Sequence, residues 1–291
     1  PIPTNIKNAA TTLEIGSTGA KSPYPIVVPV TKDQYKISNG SFIDGKPGSF
    51  VILQIPAPNN ALTITAPEIS KIYGIESITL DSGTAASSIT FGNETFTSLG
   101  ASSLQITTTT GDNTTVIDGS AVSNGAFVIV DNGSNNNADT LTGGTGDDIF
   151  RFSSTTGLTA TDVITGNGGS DTIEVDNTAA VTVDVDFANV KTIEKITVVK
   201  SAAATTTTDA LDIQIAPAAG TLNAGAVTVD MSAKSDATNS LFNVTNSVDT
   251  VDINFTIIGS NQLDKITGSM GEDTITGGGT IIGDSLIGGS G

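Results

Sequence analysis

Residues 143–151 read GGTGDDIFR and satisfy every fixed position of the nine-residue pattern G-G-x-G-x-D-x-U-x, where U is a large apolar residue. Asp148 fills the carboxylate slot and Phe150 the apolar slot. Few patterns restrict a fold so tightly. The glycines are expected at positive φ, turning the backbone so that carbonyl oxygens point inward, and the apolar residue starts a short strand that stacks on the next coil.

The pattern has neighbours in register. With the Asp at the sixth position, SNNNADTLT (134–142) contributes Asp139 and runs directly into GGTGDDIFR. After five residues, GLTATDVIT (157–165) contributes Asp162 and runs into GNGGSDTIE (166–174), which contributes Asp171. Later, GSNQLDKIT (259–267) gives Asp264 and GSMGEDTIT (268–276) gives Asp273, and a turn loosened by two residues, ending in GTIIGDSLI, gives Asp284. The eighth positions are Leu141, Phe150, Ile164, Ile173, Ile266, Ile275 and Leu286, all large and apolar.

Two nonapeptides make one coil of a β-roll, so alternate turns share an edge. Asp139 and Asp162 are 23 residues apart, as are Asp148 and Asp171, which predicts these two pairs on opposite edges; Asp264 and Asp284, 20 apart, pair likewise across Asp273. Stacked carboxylates with turn carbonyls, from Gly144, Gly146, Gly169 and Gly271, form an oxygen-only donor set that suits Ca²⁺, several ions per chain, better than Mg²⁺. The alternative is a set of metal-free turns in which each Asp caps its own backbone. Asp112, Asp118 and Asp131 are acidic turn residues that could bind further ions, although for them the plainer turn reading is favoured. Without a cation the stacked carboxylates repel, so order in these repeats is expected to follow calcium binding.

The rest of the chain reads as all-β. Short alternating segments such as Leu62–Thr65, Leu104–Ile106, Val181–Phe187, Leu211–Ile215 and Val251–Phe255 are separated by turn clusters such as Asp131-Asn132-Gly133-Ser134 and Asn223-Ala224-Gly225. The fold class expected is a parallel β-helix or β-roll solenoid. Ile75–Leu80 matches Ile193–Val198, Thr115–Asp118 recurs approximately as Thr228–Met231, and GGTGDD (143–148) recurs as GSMGED (268–273). These landmarks suggest an N-terminal β-rich segment (1–60) and two solenoid units (61–175 and 176–291), each closing in glycine-aspartate turns. Pro1 as first residue and GGSG as the last four suggest an internal piece of a longer protein.

Composition excludes several functions. With 30 acidic and 12 basic side chains the net charge is −18, which disfavours nucleic acid and anionic membranes and favours divalent cations. His, Cys and Trp are absent and Arg151 is the only arginine, so imidazole-based triads, thiolate chemistry and imidazole-ligated zinc are unavailable. No apolar run reaches the ~18 residues of a membrane-spanning helix.

The nonapeptides at 134–174 and 259–287 resemble the RTX family of secreted bacterial proteins. The Ile-Glu-x-Ile-Thr segments, with Thr-Val-x-x-Ser-Ala at 228–233 and Thr-Val-Ile-Asp-Gly-Ser-Ala at 115–121, are similar to RTX-type surface-layer proteins of Gram-negative bacteria. The resemblance implies type I secretion in an unfolded state, folding by external calcium, self-association into a lattice on the cell surface, and attachment to lipopolysaccharide or another surface glycan through parts of the parent protein. The expected function is structural. A secreted RTX adhesin that binds glycans or other cells is the alternative, though Tyr24, Tyr35 and Tyr73 are the only tyrosines for sugar stacking. A lyase or epimerase on a β-helix would need a base and clustered cations, whereas Lys71, Lys191, Lys195 and Lys200 are scattered, so no catalytic residue is assigned.

Overall fold

The computed structural model describes residues 12–15, 26–29, 42–45, 51–55, 62–69, 72–73, 77–80, 86–94, 96, 102–108, 114–132, 137–152, 158–159, 161–177, 185–186, 189–200, 211–215, 226–232, 242–246, 253–260, 264–278 and 284–288. The fold is a parallel β-solenoid. Every strand pairing within it is parallel, and successive strands of one sheet come from successive coils.

One sheet runs the length of the solenoid as a spine of eleven strands. In spatial order these are β2 (Ile26–Pro29), β4 (Val51–Ile55), β7 (Ser77–Leu80), β9 (Ser103–Thr108), β11 (Ala126–Asp131), β13 (Ile149–Phe152), β15 (Thr172–Asn177), β18 (Lys195–Lys200), β20 (Ala226–Asp230), β22 (Asn254–Ile258) and β24 (Thr274–Thr276). A second sheet holds β5 (Leu62–Ile64), β8 (Ser87–Gly92), β10 (Thr115–Ala121), β12 (Thr140–Thr142), β14 (Val163–Thr165) and β17 (Val190–Lys191). A third holds β16 (Val185–Asp186), β19 (Leu211–Ile215), β21 (Phe242–Asn246), β23 (Asp264–Thr267) and β25 (Ser285–Ile287). A small sheet of β1 (Thr12–Ile15), β3 (Phe42–Gly45) and β6 (Ile72–Tyr73) accompanies the first spine strands, and a single helical turn, α1 (Ala66–Ile69), follows β5.

The chain therefore winds with three strands per coil at first, as β3, β4 and β5 enter three different sheets. From β8 to β15 it alternates between two, the spine and the second sheet. Around residues 185–191 the partner sheet changes: β16 opens the third sheet while β17 closes the second.

Two inward columns explain the alternating pattern. On the spine, Leu53, Ile78, Ile106, Ile129, Phe150, Ile173, Ile196, Val229 and Ile257 follow one another through the register, all buried. On the second sheet, Ile64, Ile89, Ile117, Leu141, Ile164 and Val190 do the same. The columns meet in one apolar core, joined by Phe91 of β8 and Phe127 of β11 with ring centroids 5.1 Å apart. Burying each such side chain contributes about 1.5–3 kcal/mol, and identical neighbours above and below favour β-branched residues. Parallel sheets are usually covered on both faces and read as unbroken apolar runs. A solenoid leaves its outer face to water, so here Gln105, Thr172, Lys195 and Thr256 alternate with the core residues.

The Asp-x-Ser segments of the sequence repeat perform the same local task on different faces. Asp118 Oδ1 accepts the Ser120 N–H (3.0 Å) within β10, where the register against β8 shifts, and Asp230 Oδ1 accepts the Ser232 N–H (3.1 Å) and hydroxyl (2.7 Å) at the end of β20 in the spine. Both are Asx turns, the first at an irregularity within β10 and the second at the end of β20. Of the expected strand segments, 181–184, 187 and 251–252 lie outside the described residues, as do Asp112, residues 133–134 of one expected turn and the 223–225 turn.

Candidate functional site

Each of the seven nonapeptides ends in a strand, and the strands alternate between sheets. β12 and β14 lie in the second sheet, β13 and β15 in the spine, β23 and β25 in the third sheet, and β24 in the spine. The register then brings the apolar eighth positions together as Leu141 with Ile164, Phe150 with Ile173, and Ile266 with Leu286. Leu141, Phe150, Ile164, Ile173 and Ile266 are buried, whereas Ile275 is partly buried and Leu286 is exposed.

The aspartates of the sixth positions stack accordingly. Asp139, Asp148, Asp162, Asp171 and Asp264 are buried, and Asp273 and Asp284 are half-buried. Six of these carboxylates reach across to the preceding coil and accept a backbone N–H there. Asp148 Oδ1 accepts from Phe127 (2.6 Å) and Asp171 Oδ1 from Asp148 (2.8 Å). On the other edge, Asp139 Oδ1 accepts from Thr115 (2.6 Å) and Asp162 Oδ1 from Asp139 (2.8 Å). In the later repeats, Asp273 Oδ1 accepts from Phe255 (2.9 Å) and Asp284 Oδ1 from Asp264 (3.1 Å). The expected pairs Asp139/Asp162, Asp148/Asp171 and Asp264/Asp284 are thus adjacent, joined by carboxylate-to-amide bonds. Asp162 occupies the same place although its turn, GLTATD, is poor in glycine; Thr159 supplies its N–H (2.6 Å) and hydroxyl (3.1 Å) to Oδ2.

At Asp148, Asp264 and Asp273 the second carboxylate oxygen folds back on its own turn. Gly144 donates to Asp148 Oδ2 (2.7 Å), Ser260 to Asp264 Oδ2 (3.0 Å), and Ser269 to Asp273 Oδ2, in each case from four residues upstream. This explains the first glycine of the motif. A methyl group on Gly143, Gly166 or Gly259 would overlap the Oδ2 of Asp148, Asp171 or Asp264 respectively, so the residue is glycine to make room for its own carboxylate. The expectation that positive φ explains the turn glycines holds among the described glycines only for Gly169 (φ 110°). Gly144, Gly146 and Gly271 are required by close backbone approach instead: an added Cβ would lie 2.6 Å from the Val122 carbonyl oxygen at Gly144 and 2.5 Å from that of Gly125 at Gly146, and would collide with that of Ile253 at Gly271. Of the four glycine carbonyls expected as ligands, that of Gly144 accepts the Gly168 N–H of the next coil (3.2 Å).

Burial sets the electrostatics. Desolvation pushes the Asp148 carboxyl up to about 6, with the neighbouring charge of Asp147 adding to it against the N–H bonds from Phe127 and Gly144. Asp171 is pushed up to about 7, first by desolvation and then by the charges of Asp148, Glu194 and Asp147. Asp162 and Asp264 are raised in the same way by burial, with Asp131 and Asp284 respectively as the charges that add to it. Asp131 itself is buried at the end of β11 and accepts the Thr108 hydroxyl at 2.7 Å.

The geometry adds a residue that the sequence pattern did not single out. Glu194 Oε2 accepts the Asp171 N–H at 2.7 Å, continuing the Asp148–Asp171 stack by one more coil. It lies 23 residues beyond Asp171, and Ile196, two residues on, is buried in the eighth-position column. The segment NVKTIEKIT (189–197) is thus an eighth nonapeptide without glycine and with Glu for Asp. The recurring 23-residue spacing is the signal that finds it.

A hard cation fits this donor set. All the converging side chains offer oxygen, and Asp171 Oδ2 is buried without a hydrogen-bond partner. Among the described residues no three acidic side chains form one cluster, so backbone carbonyls would have to complete any coordination shell. Also among the described residues, no helix is long and apolar enough to cross a membrane. Comparison with known proteins finds no matching family model, no matching curated protein and no matching solved structure.

Proposed function

We propose that this chain is a structural segment of a calcium-dependent bacterial surface layer, a β-solenoid that orders outside the cell when calcium binds its aspartate turns and then associates with copies of itself. The observation that carries the reading is the stacking of buried carboxylates: Asp148 on Asp171 and Asp139 on Asp162, with only backbone amides between them. Buried anions in such rows cost free energy until a cation neutralises them. Asp139, Asp148, Asp162, Asp171, Asp264, Asp273 and Asp284 would supply carboxylate oxygens, with turn carbonyls filling the rest of each shell. When bound, the ions would neutralise the rows and cross-link consecutive coils, which makes folding and metal binding one equilibrium. The absence of His and Cys, with the single Arg engaged by Glu174, supports a scaffold over an enzyme.

The test is calcium removal from the chain, followed by circular dichroism and by electron microscopy of concentrated samples. The surface-layer reading expects both β-structure and ordered sheets to require calcium. Indifference of both to chelation overturns it. Calcium-dependent folding into a protein that remains monomeric at high concentration favours the adhesin alternative instead.

A further inference from the structure

A cavity of about 490 Å³ opens on the second sheet, and none of its lining residues belongs to an aspartate turn. Small-molecule sites usually fall between about 300 and 1,000 Å³. Its walls come from three successive coils. Ala66 and Pro67 of α1 form one side, Thr90 and Gly92 of β8 with Glu94 beyond it the second, and Ala121 at the end of β10 the third.

Two irregularities of the strands make the hollow. Alternation sets Thr90 and Gly92 on the outer face of β8, while Phe91 between them is buried in the core. A methyl group on Gly92 would lie 2.7 Å from Glu94 Oε2 and 3.4 Å from Ala66 Cβ, so the missing side chain leaves a floor that the Glu94 carboxylate borders. Ala121 stands opposite Gly92 in the register, and the pairing of β10 with β8 shifts between Asp118 and Ala121. A glycine inside a strand often marks close approach by a ligand or another backbone, and bulges gather next to active sites. The surrounding corners are fixed in advance. Asn93 Oδ1 accepts the Ser123 N–H (2.7 Å) and hydroxyl (3.1 Å), and the Asn93 carbonyl accepts the Asn124 side-chain amide (3.0 Å). Phe96, two residues past Glu94, packs edge-on against Phe127 with ring centroids 5.2 Å apart, and Ile69 anchors α1 in the core.

The lining selects the ligand by charge and polarity. The Glu94 carboxylate and the Thr90 hydroxyl are set among Ala66, Pro67 and Ala121, and among the described residues no lysine or arginine lines the cavity. Glu94 takes part in no ion pair among the described residues. An anion is repelled by Glu94 and by the net charge of −18. A wholly apolar molecule would strip water from the carboxylate and give it no partner, which costs free energy. We propose that the cavity binds a small organic cation, an ammonium group on a short apolar chain, with Glu94 as counter-ion and Ala66, Pro67 and Ala121 against the chain. The site shares no residue with the aspartate turns and stands apart from the calcium reading.

NMR titration of the whole chain with n-butylammonium chloride, in calcium-containing buffer, tests this, with n-butanol and glucose as uncharged probes. Circular dichroism checks that each variant keeps its fold. Butylammonium should bind saturably and lose affinity as NaCl is raised, because salt screens an exposed ion pair. Glu94→Gln should weaken it about fivefold, near the upper end for a solvent-exposed pair. Gly92→Ala places a methyl on the cavity floor and should weaken binding with the Glu94 charge intact, which keeps the test decisive if Glu94→Gln fails to fold. No saturable binding of butylammonium overturns the proposal, as does equal affinity in the wild type and a folded Glu94→Gln variant. Butanol or glucose binding as tightly as butylammonium overturns it too, because the carboxylate is then not selecting a cation. All of these outcomes leave the calcium reading to be judged by chelation alone.

Discussion

The carboxylate of Asp171 accepts the backbone N–H of Asp148, 23 residues earlier, at 2.8 Å, while Asp148 reaches back in turn to Phe127. Each aspartate is thus both a ligand candidate and a rivet between coils. The two roles oppose each other electrostatically: the bonds to amides stabilise the ionised form, and burial beside further carboxylates destabilises it.

That balance gives a pH dependence with a definite sign. Asp148 and Asp171 are raised from 3.8 to about 6 and about 7. Between pH ~4 and ~7 the folded chain therefore holds more protons than the unfolded chain, and stability without a cation falls as pH rises through that window. A two-unit shift corresponds to roughly 3 kcal/mol. Thermal melts in the absence of divalent ions should show a higher Tm near pH 5 than near pH 7.5. With saturating calcium the order should reverse, because a bound ion requires deprotonated carboxylates. Melts that are flat across this range in both conditions would contradict the buried-carboxylate account.

Asp162 tests the rivet role. Asp162→Ala leaves the amides of Asp139 and Thr159 without their acceptor. Each unsatisfied buried donor costs about 1–3 kcal/mol, so the denaturation midpoint should drop even in chelator. A loss visible only in calcium would assign Asp162 to metal binding alone.

Glycine substitutions should separate room for a carboxylate from ordinary turn flexibility. Gly143→Ala places a methyl group onto Asp148 Oδ2, and overpacking of this kind costs about 1–3 kcal/mol. At Gly168 the nearest atom to an added methyl is Thr145 Cα at 3.7 Å, an ordinary contact. Gly168→Ala should then stay within about 0.5 kcal/mol of wild type. Chemical denaturation of the two variants side by side decides it, and equal losses would count against the carboxylate explanation.

The core columns make a plainer comparison. Phe150 is fully buried between Ile129 and Ile173, so Phe150→Ala should cost about 3–5 kcal/mol. Leu286 fills the same motif position but is 43% exposed, and Leu286→Ala should be nearly neutral. Comparable midpoints for the two variants in urea would show that the eighth positions are not a graded column.

The solenoid class and the pairing of Asp139 with Asp162 and Asp148 with Asp171 were legible because period-2 alternation and a fixed 23-residue spacing are direct images of strand and coil. Glu194 escaped because its turn has no glycine: Asn189, Val190 and Thr192 stand where the motif has glycine, and one more methylene lets Glu do the work of Asp. The reason for the first glycine was also hidden, since a sequence shows that a residue lacks a side chain but not which neighbour fills the space. The number of strands per coil was equally invisible. Alternation in Leu62–Thr65 or Leu104–Ile106 says which side chains point inward, and nothing about whether two or three sheets enclose them. For the same reason Thr115–Asp118 and Thr228–Met231 look alike yet belong to different sheets: their shared Asx turn is local, and sheet membership is decided by what lies one coil away.

The eleven-strand spine gives the rod two unlike sides. Along one side parallel hydrogen bonds run without interruption from β2 to β24, whereas on the other the second sheet yields to the third near residues 185–191. Tension along the axis therefore travels through a single continuous ladder, and bending has one natural seam. A coat built from such units would be stiff to stretching and would take up the curvature of a cell by flexing at that seam.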